Sequence, residues 1–231
     1  MKIQVLCPGS DPSYIELVMT TYKQYKLSNA SIEVIHLPEG PKEIISEADD
    51  AIVAPDVIKS AILAEKEGFD GFVVYCFDDP GVRAARNIVK MPIVGLGNPS
   101  LTLAHFVSHR FSVLSPGVKP HHTRAYVEHQ CYELGLSAKL ASVRHVDLPP
   151  LAMMAGREGS LQLALQREIK CAVEEDGADT IVFGCGAMTG ILETLENPYG
   201  ATLIDPGLTA LNYLELLLNL GVNHSRLLFP S

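Results

Sequence analysis

Short apolar runs alternate with longer segments of helical periodicity along the chain, and this alternation predicts strands and helices in turn. The predicted strands cover residues 2–6, 32–37, 72–75, 93–96, 111–114, 139–146, 180–184 and 201–204. The predicted helices cover residues 12–26, 50–67, 79–89, 100–109, 120–134, 159–175, 190–196 and 207–220. Because strand–helix–strand units build parallel sheets covered by helices, the pattern predicts an α/β fold.

The same pattern occurs twice in the sequence. Each copy contains a Gly-x-Asp turn, an apolar run and a cysteine, followed by a glycine shortly afterwards. Three pairs of blocks match, namely residues 68–76 with 177–185, residues 3–9 with 111–117, and residues 98–102 with 205–209. The three pairs occur in one order and at a nearly constant spacing, which indicates two copies of one folding unit.

Two copies of a parallel α/β unit predict two pseudo-symmetric lobes, each Rossmann-like or flavodoxin-like, with a cleft between them. We expect residues 1–98 plus 205–231 to form the first lobe and residues 99–204 to form the second. In open parallel sheets, ligands bind beyond the carboxyl ends of the strands. The side chains expected at those ends are Cys7, Cys76, Asn98, Ser115, Cys185 and Asp205.

Composition and charge narrow the function classes. The 231 residues are 47% hydrophobic and 19% charged, which is enough to bury a substantial core. The net charge of −9 argues against a nucleic-acid partner. No apolar run reaches the roughly 18 residues that cross a membrane, and the opening strand is too short for a signal peptide, so we expect a cytoplasmic location and no membrane partner.

The cysteines carry the candidate chemistry. There are five, and because no C-x-x-C pair or metal-ligand spacing occurs, we expect free thiols and no metal site. Cys76 and Cys185 occupy matched strand ends, each before a predicted helix whose dipole would stabilise a thiolate. We interpret the other three as packing residues (Cys131 and Cys171) or as part of the cleft lining (Cys7).

Two opposed thiols suit inversion of a carbon next to a carbonyl group. One thiolate removes the proton, and the thiol on the other face returns a proton, which requires groups that titrate near the working pH. No cofactor is needed, because the carbanion spreads onto the carbonyl oxygen. Backbone N–H groups after each cysteine are expected to hold that oxygen. A further hypothesis is that Asp78 raises the pKa of Cys76.

Residues 76–86 and 182–188 resemble the two cysteine motifs of the aspartate/glutamate/hydantoin racemase superfamily, and the hydantoin and allantoin racemase branch is the most similar. Residues 92–97, 111–115 and 203–205 also resemble that branch. The resemblance implies two α/β lobes, a cofactor-independent two-thiol racemase acting on a small molecule, and a homo-oligomer. The predicted catalytic residues are Cys76 and Cys185, and the predicted substrate-binding residues are Pro8, Gly9, Ser10, Phe77, Asp78, Ser115, Pro116, Gly186 and Ala187.

The chain departs from the branch at a few positions, and these leave the substrate open. The first turn of the branch usually reads Asn-Pro-Asn, where this chain has Cys7, Pro8 and Gly9. A glutamate is common where Asn98 stands, and the order of Gly186 and Ala187 is reversed. We therefore predict a hydantoin or allantoin as substrate, with an amino-acid racemase such as one for aspartate or glutamate, or a cofactor-free decarboxylase or isomerase of the superfamily, as alternatives.

Two readings outside the superfamily also remain. A two-lobed small-molecule binding protein would have the same architecture without catalysis. The glycines of residues 184–190 resemble part of a dinucleotide-binding fingerprint, although Cys185 interrupts that turn.

Overall fold

A computed structural model describes residues 1–25, 30–155 and 159–229. The strands are β1 (Lys2–Cys7), β2 (Ser31–His36), β3 (Gly71–Val74), β4 (Ile93–Val94), β5 (Phe111–Pro116), β6 (Leu140–Val146), β7 (Thr180–Phe183) and β8 (Thr202–Ile204). The helices are α1 (Ser13–Tyr25), α2 (Glu47–Lys66), α3 (Val82–Ala85), α4 (Gly97–Val107), α5 (Pro120–Glu133), α6 (Pro150–Ala155), α7 (Ser160–Glu174) and α8 (Pro206–Leu220). Across those three described stretches, no helix has the length and apolarity that crossing a membrane requires.

The strands form two four-stranded sheets with the same topology. The first has the order β2-β1-β3-β4 and the second β6-β5-β7-β8, and every strand pair is parallel. The register repeats as well, because Ile3 pairs with Gly71 in the first sheet and Phe111 pairs with Thr180 in the second. These pairs correspond to each other in the sequence repeat, so the predicted α/β fold of two matching lobes is confirmed.

The chain divides into two compact units, residues 1–96 with 207–231 and residues 97–206. The second unit is thus inserted into the first, and most of α8 belongs to the first unit. Leu214 of that helix packs against Gly71 of β3, where a Cβ atom would lie 3.0 Å from the leucine Cδ1. The buried Tyr22 hydroxyl also donates a hydrogen bond of 2.8 Å to the Gly207 carbonyl oxygen.

The aspartates of the repeated Gly-x-Asp turns hold the start of a neighbouring strand. In the first unit, the Lys2 N–H donates to Asp70 Oδ2 at 2.7 Å. In the second, the N–H groups of His109 and Arg110 donate to Asp179 Oδ2 at 2.8 and 3.2 Å. The sequence repeat therefore preserves a bond that ties the turn before β3 or β7 to the beginning of β1 or β5.

Two predicted helices are wrong in extent. The segment predicted as helix 79–89 contains only α3, and no regular helix begins before Val82 because Asp79 and Gly81 take left-handed conformations (φ 53° and 70°). Asp79 is therefore not the N-cap. In place of a helix at 190–196 there are two 3₁₀ helices, Gly186–Met188 and Ile191–Glu193, separated by the left-handed Gly190.

Other differences are smaller. Helix α6 lies in a segment where the hydrophobic pattern predicts no helix. Helix α2 begins one turn earlier than predicted, after the N-cap Ser46, whose hydroxyl accepts from the Asp49 N–H at 3.3 Å. Strand β4 ends earlier than predicted, at Val94. Residue 26, the predicted end of the first helix, lies outside the described residues.

Candidate active site

Cys76 and Cys185 occupy the same backbone position in their respective sheets. In each case the residue before the cysteine extends the strand ladder by one further hydrogen bond. These bonds run from the Tyr75 N–H to the Leu6 carbonyl oxygen and from the Gly184 N–H to the Leu114 carbonyl oxygen, each at 2.7 Å. Both cysteines therefore stand directly beyond the carboxyl end of a buried central strand, where parallel sheets place their ligands.

The chain turns in the same way after each cysteine. The Asp79 N–H donates to the Cys76 carbonyl oxygen at 3.3 Å, and the Met188 N–H donates to the Cys185 carbonyl oxygen at 3.0 Å. The two turns occupy matched positions in the sequence repeat, like the cysteines themselves. Each cysteine side chain therefore begins at an equivalent backbone position within its own unit.

Solvent exposure distinguishes Cys76 and Cys185 from Cys7 and Cys131. Cys76 and Cys185 are both partly exposed, whereas Cys7 and Cys131 are buried. Burial raises the pKa of Cys7 and of Cys131 to about 12, so neither thiol ionises near neutral pH. The interpretation of Cys131 as a packing residue agrees with its burial in α5.

Cys171 is not a buried packing residue. It is partly exposed on α7, where burial raises the pKa of its thiol and a hydrogen bond with Glu175 raises it further. A thiol held protonated in this way is a poor nucleophile near neutral pH. Cys171 is thus a partly exposed thiol that lies outside the two matched strand ends.

The predicted activation of the two thiols by helix dipoles does not match the structure. Helix α3 begins only at Val82, well beyond Cys76, and spans a single turn. Cys185 is the N-cap of a 3₁₀ helix that is equally short. Because a macrodipole sums over aligned peptide units, such short elements supply little of it. Any stabilisation of a thiolate at these two positions must therefore come from side chains and single backbone groups.

Carboxyl groups surround Cys76. Its sulfur and one oxygen each from Asp50 and Asp78 all lie within 4.8 Å of one another. Burial raises the pKa of Asp78 well above its usual value, and the charges of Asp50 and Asp79 raise it further. Asp78 therefore keeps its proton to a higher pH than an ordinary carboxyl group, because burial and then the neighbouring charges disfavour its ionised form.

The sequence indicated Asp78 but missed Asp50, which lies on an earlier element and far from the cysteine along the chain. Asp50 is on α2, whose buried positions include Val53 and Val57. Residues three, four and seven apart share one face of a helix, so Asp50 lies on the face that packs into the core. An acidic residue in register with a buried helical stripe is the signal that would have found it.

The predicted binding turn after β1 is held against the next loop. The Ser10 N–H donates to the Pro41 carbonyl oxygen at 2.9 Å, and the Ser10 hydroxyl donates to the Gly40 carbonyl oxygen at 3.0 Å. A Cβ atom at Gly9 would lie 2.4 Å from the Lys42 carbonyl oxygen, so this approach requires glycine. Pro8 is buried in the same turn. These contacts give the turn a structural role beside the predicted one.

In the second unit, Ser115 and Pro116 belong to β5, which extends further than predicted. Ser115 is 1% exposed, and its hydroxyl has no hydrogen-bond partner within the described part of the chain. Gly184 lies against it, since a Cβ at that position would be 2.6 Å from Ser115 Oγ. A buried hydroxyl without a partner has an uncompensated desolvation cost, and contact of Ser115 with a substrate stays a prediction.

The remaining predicted binding residues follow the cysteines. Gly186 and Ala187 are buried in the 3₁₀ helix after Cys185, and Phe77 is 3% exposed after Cys76. Their contact with a substrate stays a prediction. A dinucleotide fingerprint does not fit this segment, because β7 is followed by 3₁₀ helices and not by the longer helix whose N-terminus binds a pyrophosphate.

Of the two other residues expected at strand ends, Asp205 has that position and Asn98 does not. Asn98 lies in the first turn of α4 and not at the end of β4. Asp205 directly follows β8 and is 4% exposed, and it accepts a hydrogen bond of 2.5 Å from the Gly190 N–H. That bond fixes the left-handed residue between the two 3₁₀ helices, which gives Asp205 a structural role.

Comparison with known proteins gives consistent results along the whole chain. A family model described as Asp/Glu/Hydantoin racemase matches residues 3–214. The hydantoin racemase of Rhizobium meliloti is 30% identical over 98% of this chain and 92% of its own length. The hydantoin racemase of Paenarthrobacter aurescens is 31% identical over 98% of this chain and 94% of its own length.

Solved structures show the same relationship. The allantoin racemase from Klebsiella pneumoniae superposes with a TM-score of 0.90 and 28% identity, over all of this chain and 94% of that one. An arylmalonate decarboxylase structure covers 96% of this chain and 94% of its own, with a TM-score of 0.67 and 12% identity, which is evidence of a shared fold alone.

Proposed function

Because this chain belongs to the Asp/Glu/Hydantoin racemase family and is an isomerase of the racemase class, we propose that it inverts a hydantoin or allantoin by proton transfer between two cysteine side chains. The membership confirms the resemblance inferred from the paired cysteine motifs, and the predicted enzyme class is confirmed with it. A non-catalytic binding protein is therefore no longer an alternative.

The observation that carries the proposal is the equivalence of Cys76 and Cys185. Each cysteine follows an equivalent ladder bond and begins an equivalent turn in the two copies of one unit, and both cysteines are partly exposed. A duplicated unit with its cysteine kept at one position supplies two chemically similar groups. Inversion of a stereocentre needs two such groups, one for each face of the carbon.

The proposed reaction needs no redox change. The thiolate of one cysteine takes the proton from the carbon next to the carbonyl group, so that the C–H bond breaks, an S–H bond forms and the electron pair moves into an enolate. The thiol of the other cysteine then donates its proton to the opposite face of the same carbon, and its S–H electrons remain on sulfur. The two cysteines end with exchanged protonation states, and the product is the mirror-image substrate.

Thiols suit this transfer for a physical reason. An unperturbed cysteine has a pKa of about 8.5, so thiol and thiolate are both accessible near neutral pH. General acid–base catalysis is most effective when the pKa lies near the working pH. Hydrogen-bond donors aimed at the developing enolate oxygen lower the barrier further. In this proposal the Ser115 hydroxyl donates to this oxygen in the substrate and in the enolate alike, so that it contributes to substrate binding.

The choice of hydantoin or allantoin rests on the relatives. The curated relatives named above are hydantoin racemases at 30 and 31% identity, and the 28% identical structure is an allantoin racemase. An amino-acid racemase and a decarboxylase are the alternatives within the superfamily. Retention of both cysteines argues against a decarboxylase that uses one. A cytoplasmic, homo-oligomeric enzyme without a cofactor remains the expectation.

The test is loss of optical rotation with a panel of chiral 5-substituted hydantoins, allantoin and amino acids in deuterated water. We expect racemisation of a hydantoin or allantoin, with solvent deuterium entering the inverted carbon and no release of carbon dioxide. Turnover of amino acids alone would transfer the activity to the first alternative. Release of carbon dioxide from a malonate, assayed separately, would favour the decarboxylase.

The two-cysteine mechanism is tested by Cys76→Ser and Cys185→Ser. Each variant should lose inversion by at least about a thousandfold, because a serine hydroxyl is a far weaker acid and the two groups act as a unit. One variant should still exchange the hydrogen of a single enantiomer, since one base is left. The matched control is Cys171→Ser, which changes a partly exposed thiol outside the site and should keep full activity. Inversion that survives in either site variant would refute the mechanism.

A further inference from the structure

The backbone of Cys76 is bonded on both sides of its Cα atom. The Cys76 N–H donates to the Val74 carbonyl oxygen at 2.9 Å. The Cys76 carbonyl oxygen accepts from the Asp79 N–H at 3.3 Å and from the Leu96 N–H at 3.2 Å. Because peptide groups are planar, bonds to both flanking groups also fix the direction in which the side chain of Cys76 leaves the backbone.

The side chain of Asp79 contacts the same segment after β4. A Cβ atom at Gly95 would have the Oδ1, Cγ and Cβ atoms of Asp79 as its three nearest neighbours, and even the most distant of these, Cβ, would lie only 2.9 Å away. The carboxyl group therefore occupies the space that a larger residue at position 95 would fill. Gly95 directly precedes Leu96, so the side chain of Asp79 and the carbonyl group of Cys76 contact consecutive residues.

Asp79 holds this place in a conformation that few residues adopt. Its φ of 53° is left-handed, and its carbonyl oxygen accepts from the Val82 N–H at 3.2 Å as α3 begins. Among residues with a side chain, aspartate and asparagine adopt the left-handed region most readily. Such conformations persist where the surrounding contacts require them, and they are frequent at functional sites.

From these contacts we propose that Asp79 is a positioning residue whose carboxyl group, packed against Gly95, holds the turn that directs the sulfur of Cys76 toward the substrate. The inference rests on the proposed function, because Asp79 acts through Cys76 and not on the reacting carbon. A displacement of about 1 Å can slow a reaction about a hundredfold, so a small shift of this turn should be visible in kcat.

Gly95→Ala tests the contact from the opposite side. The added methyl group and the Asp79 side chain cannot occupy the same space, so the turn must shift, and Cys76 shifts with it. We expect kcat for inversion to fall about a hundredfold while KM stays near the wild-type value. The matched control is Gly71→Ala in β3 of the same unit, where the new methyl group would lie 3.0 Å from side-chain atoms of Leu214 and kcat should not change.

A double variant tests whether the two positions are coupled. Asp79→Gly permits the left-handed conformation but removes the carboxyl group, and it should lower kcat about tenfold. Addition of Gly95→Ala to this variant should cause no further loss, because the methyl group occupies the space that the carboxyl group has left. The double variant should therefore be about tenfold more active than Gly95→Ala alone. Urea denaturation should show coupling of the same sign in the unfolding equilibrium.

Two further substitutions separate placement from charge. Asparagine has the shape of aspartate and readily adopts a left-handed conformation, so Asp79→Asn should keep kcat within about threefold of wild type. Alanine lacks the polar group and is disfavoured at this φ, so Asp79→Ala should lose about a hundredfold, like Gly95→Ala.

Hydrogen exchange in deuterated water shows which cysteine is affected. Each pure enantiomer of the substrate is incubated with Gly95→Ala or with Asp79→Ala. Exchange should fall for one enantiomer and persist for the other, because Cys185 remains in place. A general loss of folded structure would lower both exchange rates alike.

Each outcome decides the inference. Wild-type kcat in Gly95→Ala, a double variant with the combined losses of both single changes, or equal loss of exchange for both enantiomers would overturn it. So would a loss in Asp79→Asn as large as that in Asp79→Ala, since the charge would then be responsible. If Gly95→Ala does not fold, the asparagine and alanine variants of Asp79 decide by kcat and exchange. A wild-type protein that racemises none of the panel would refute the proposed function and this inference with it, whereas wild-type turnover with unaffected variants would refute this inference alone.

Discussion

Ser112 and Ser115 lie three positions apart on β5 and therefore face opposite sides of the sheet. Both are buried, at 0 and 1% exposure. The Ser112 hydroxyl is bonded to Ser142 at 2.8 Å, whereas the Ser115 hydroxyl has no partner in the described residues. Ser112 thus contributes a hydrogen bond to the fold, whereas a bond between Ser115 and a substrate stays a prediction.

Replacement of Ser115 by alanine should separate binding from stability. Removing a buried hydroxyl that has no partner should leave the free energy of unfolding unchanged or slightly higher. Loss of a bond to the substrate should raise KM by about tenfold, the effect of one hydrogen bond of about 1.4 kcal/mol. Urea denaturation and steady-state kinetics of the same preparation measure the two effects.

The matched control is Ser112→Ala on the same strand. It breaks the bond to Ser142 and should lower the free energy of unfolding by about 1 kcal/mol, with KM unchanged. The assignment of Ser115 to the substrate fails if Ser115→Ala loses stability like this control while its KM stays at the wild-type value.

Among the elements, the Gly-x-Asp turns are the clearest product of the duplication. Asp179 accepts two backbone N–H groups, and Asp70 accepts one. Burial alone would raise the pKa of Asp179, but the bonds from His109, Thr180 and Arg110 outweigh it and lower the pKa. The ionised carboxylate therefore stabilises the junction between the turn and β5.

Asp179→Asn should lower the free energy of unfolding at pH 7 by about 1 kcal/mol, because the site is exposed and the amide is a weaker acceptor. Since the pKa is lower in the folded state, this stabilisation is complete above the ordinary aspartate pKa of about 3.9 and is lost as the pH falls through the folded value. Wild type and variant should therefore converge in urea titrations once the pH falls below the folded pKa of Asp179. Asp70→Asn should cost less, since it loses one bond; an equal or larger cost would contradict the argument.

Elements with strong local signals could be predicted from the sequence. The central strands are continuous apolar runs. Gly68 and Gly177 follow the preceding helices in left-handed conformations (φ 77° and 71°), which is typical of glycine at the end of a helix. Both signals lie within a short stretch of chain, so neighbouring contacts cannot easily override them.

The segment after Cys76 shows why other elements could not be predicted. The Asp79-Pro80 pair is a good local helix start, yet Asp79 is left-handed, and its carboxylate lies where a Cβ at Gly95 would be 1.9 Å away. The Arg86 side chain donates from Nε and Nη2 to the Ile93 carbonyl oxygen at 3.2 and 3.0 Å, which ties this segment to β4. Contacts with residues further along the chain decided this segment, and the placement of Asp50 beside Cys76 is non-local in the same way.

At the scale of the whole molecule, the chain leaves the first unit near residue 96 and returns to it near residue 207. The returning segment continues beyond α8 and binds the backbone around β4. Arg226 Nη1 donates to the Val89 carbonyl oxygen at 2.9 Å. The His224 Nε2 lies 3.3 Å from the amide nitrogen of Ile93 and 2.9 Å from its carbonyl oxygen. The segment after α8 is thus held to the backbone around β4 by side-chain hydrogen bonds.

His224 should make the free energy of unfolding sensitive to pH. Burial lowers its pKa from 6.5 to about 4, and the charges of Arg86 and Arg226 contribute in the same direction. Between these two pH values the unfolded chain binds a proton at His224 and the folded protein does not. The contribution of neutral His224 to the free energy of unfolding is therefore fully present above pH 6.5 and is lost as the pH falls toward 4. His224→Gln cannot titrate and should show a smaller loss between pH 7 and 5 in urea denaturation, although it is less stable than wild type at pH 7. The control is His129→Gln, which changes an exposed histidine 3.9 Å from Glu133 and should keep the wild-type dependence of the free energy of unfolding on pH. If His224→Gln also keeps the wild-type dependence, other groups control the acid sensitivity of the first unit.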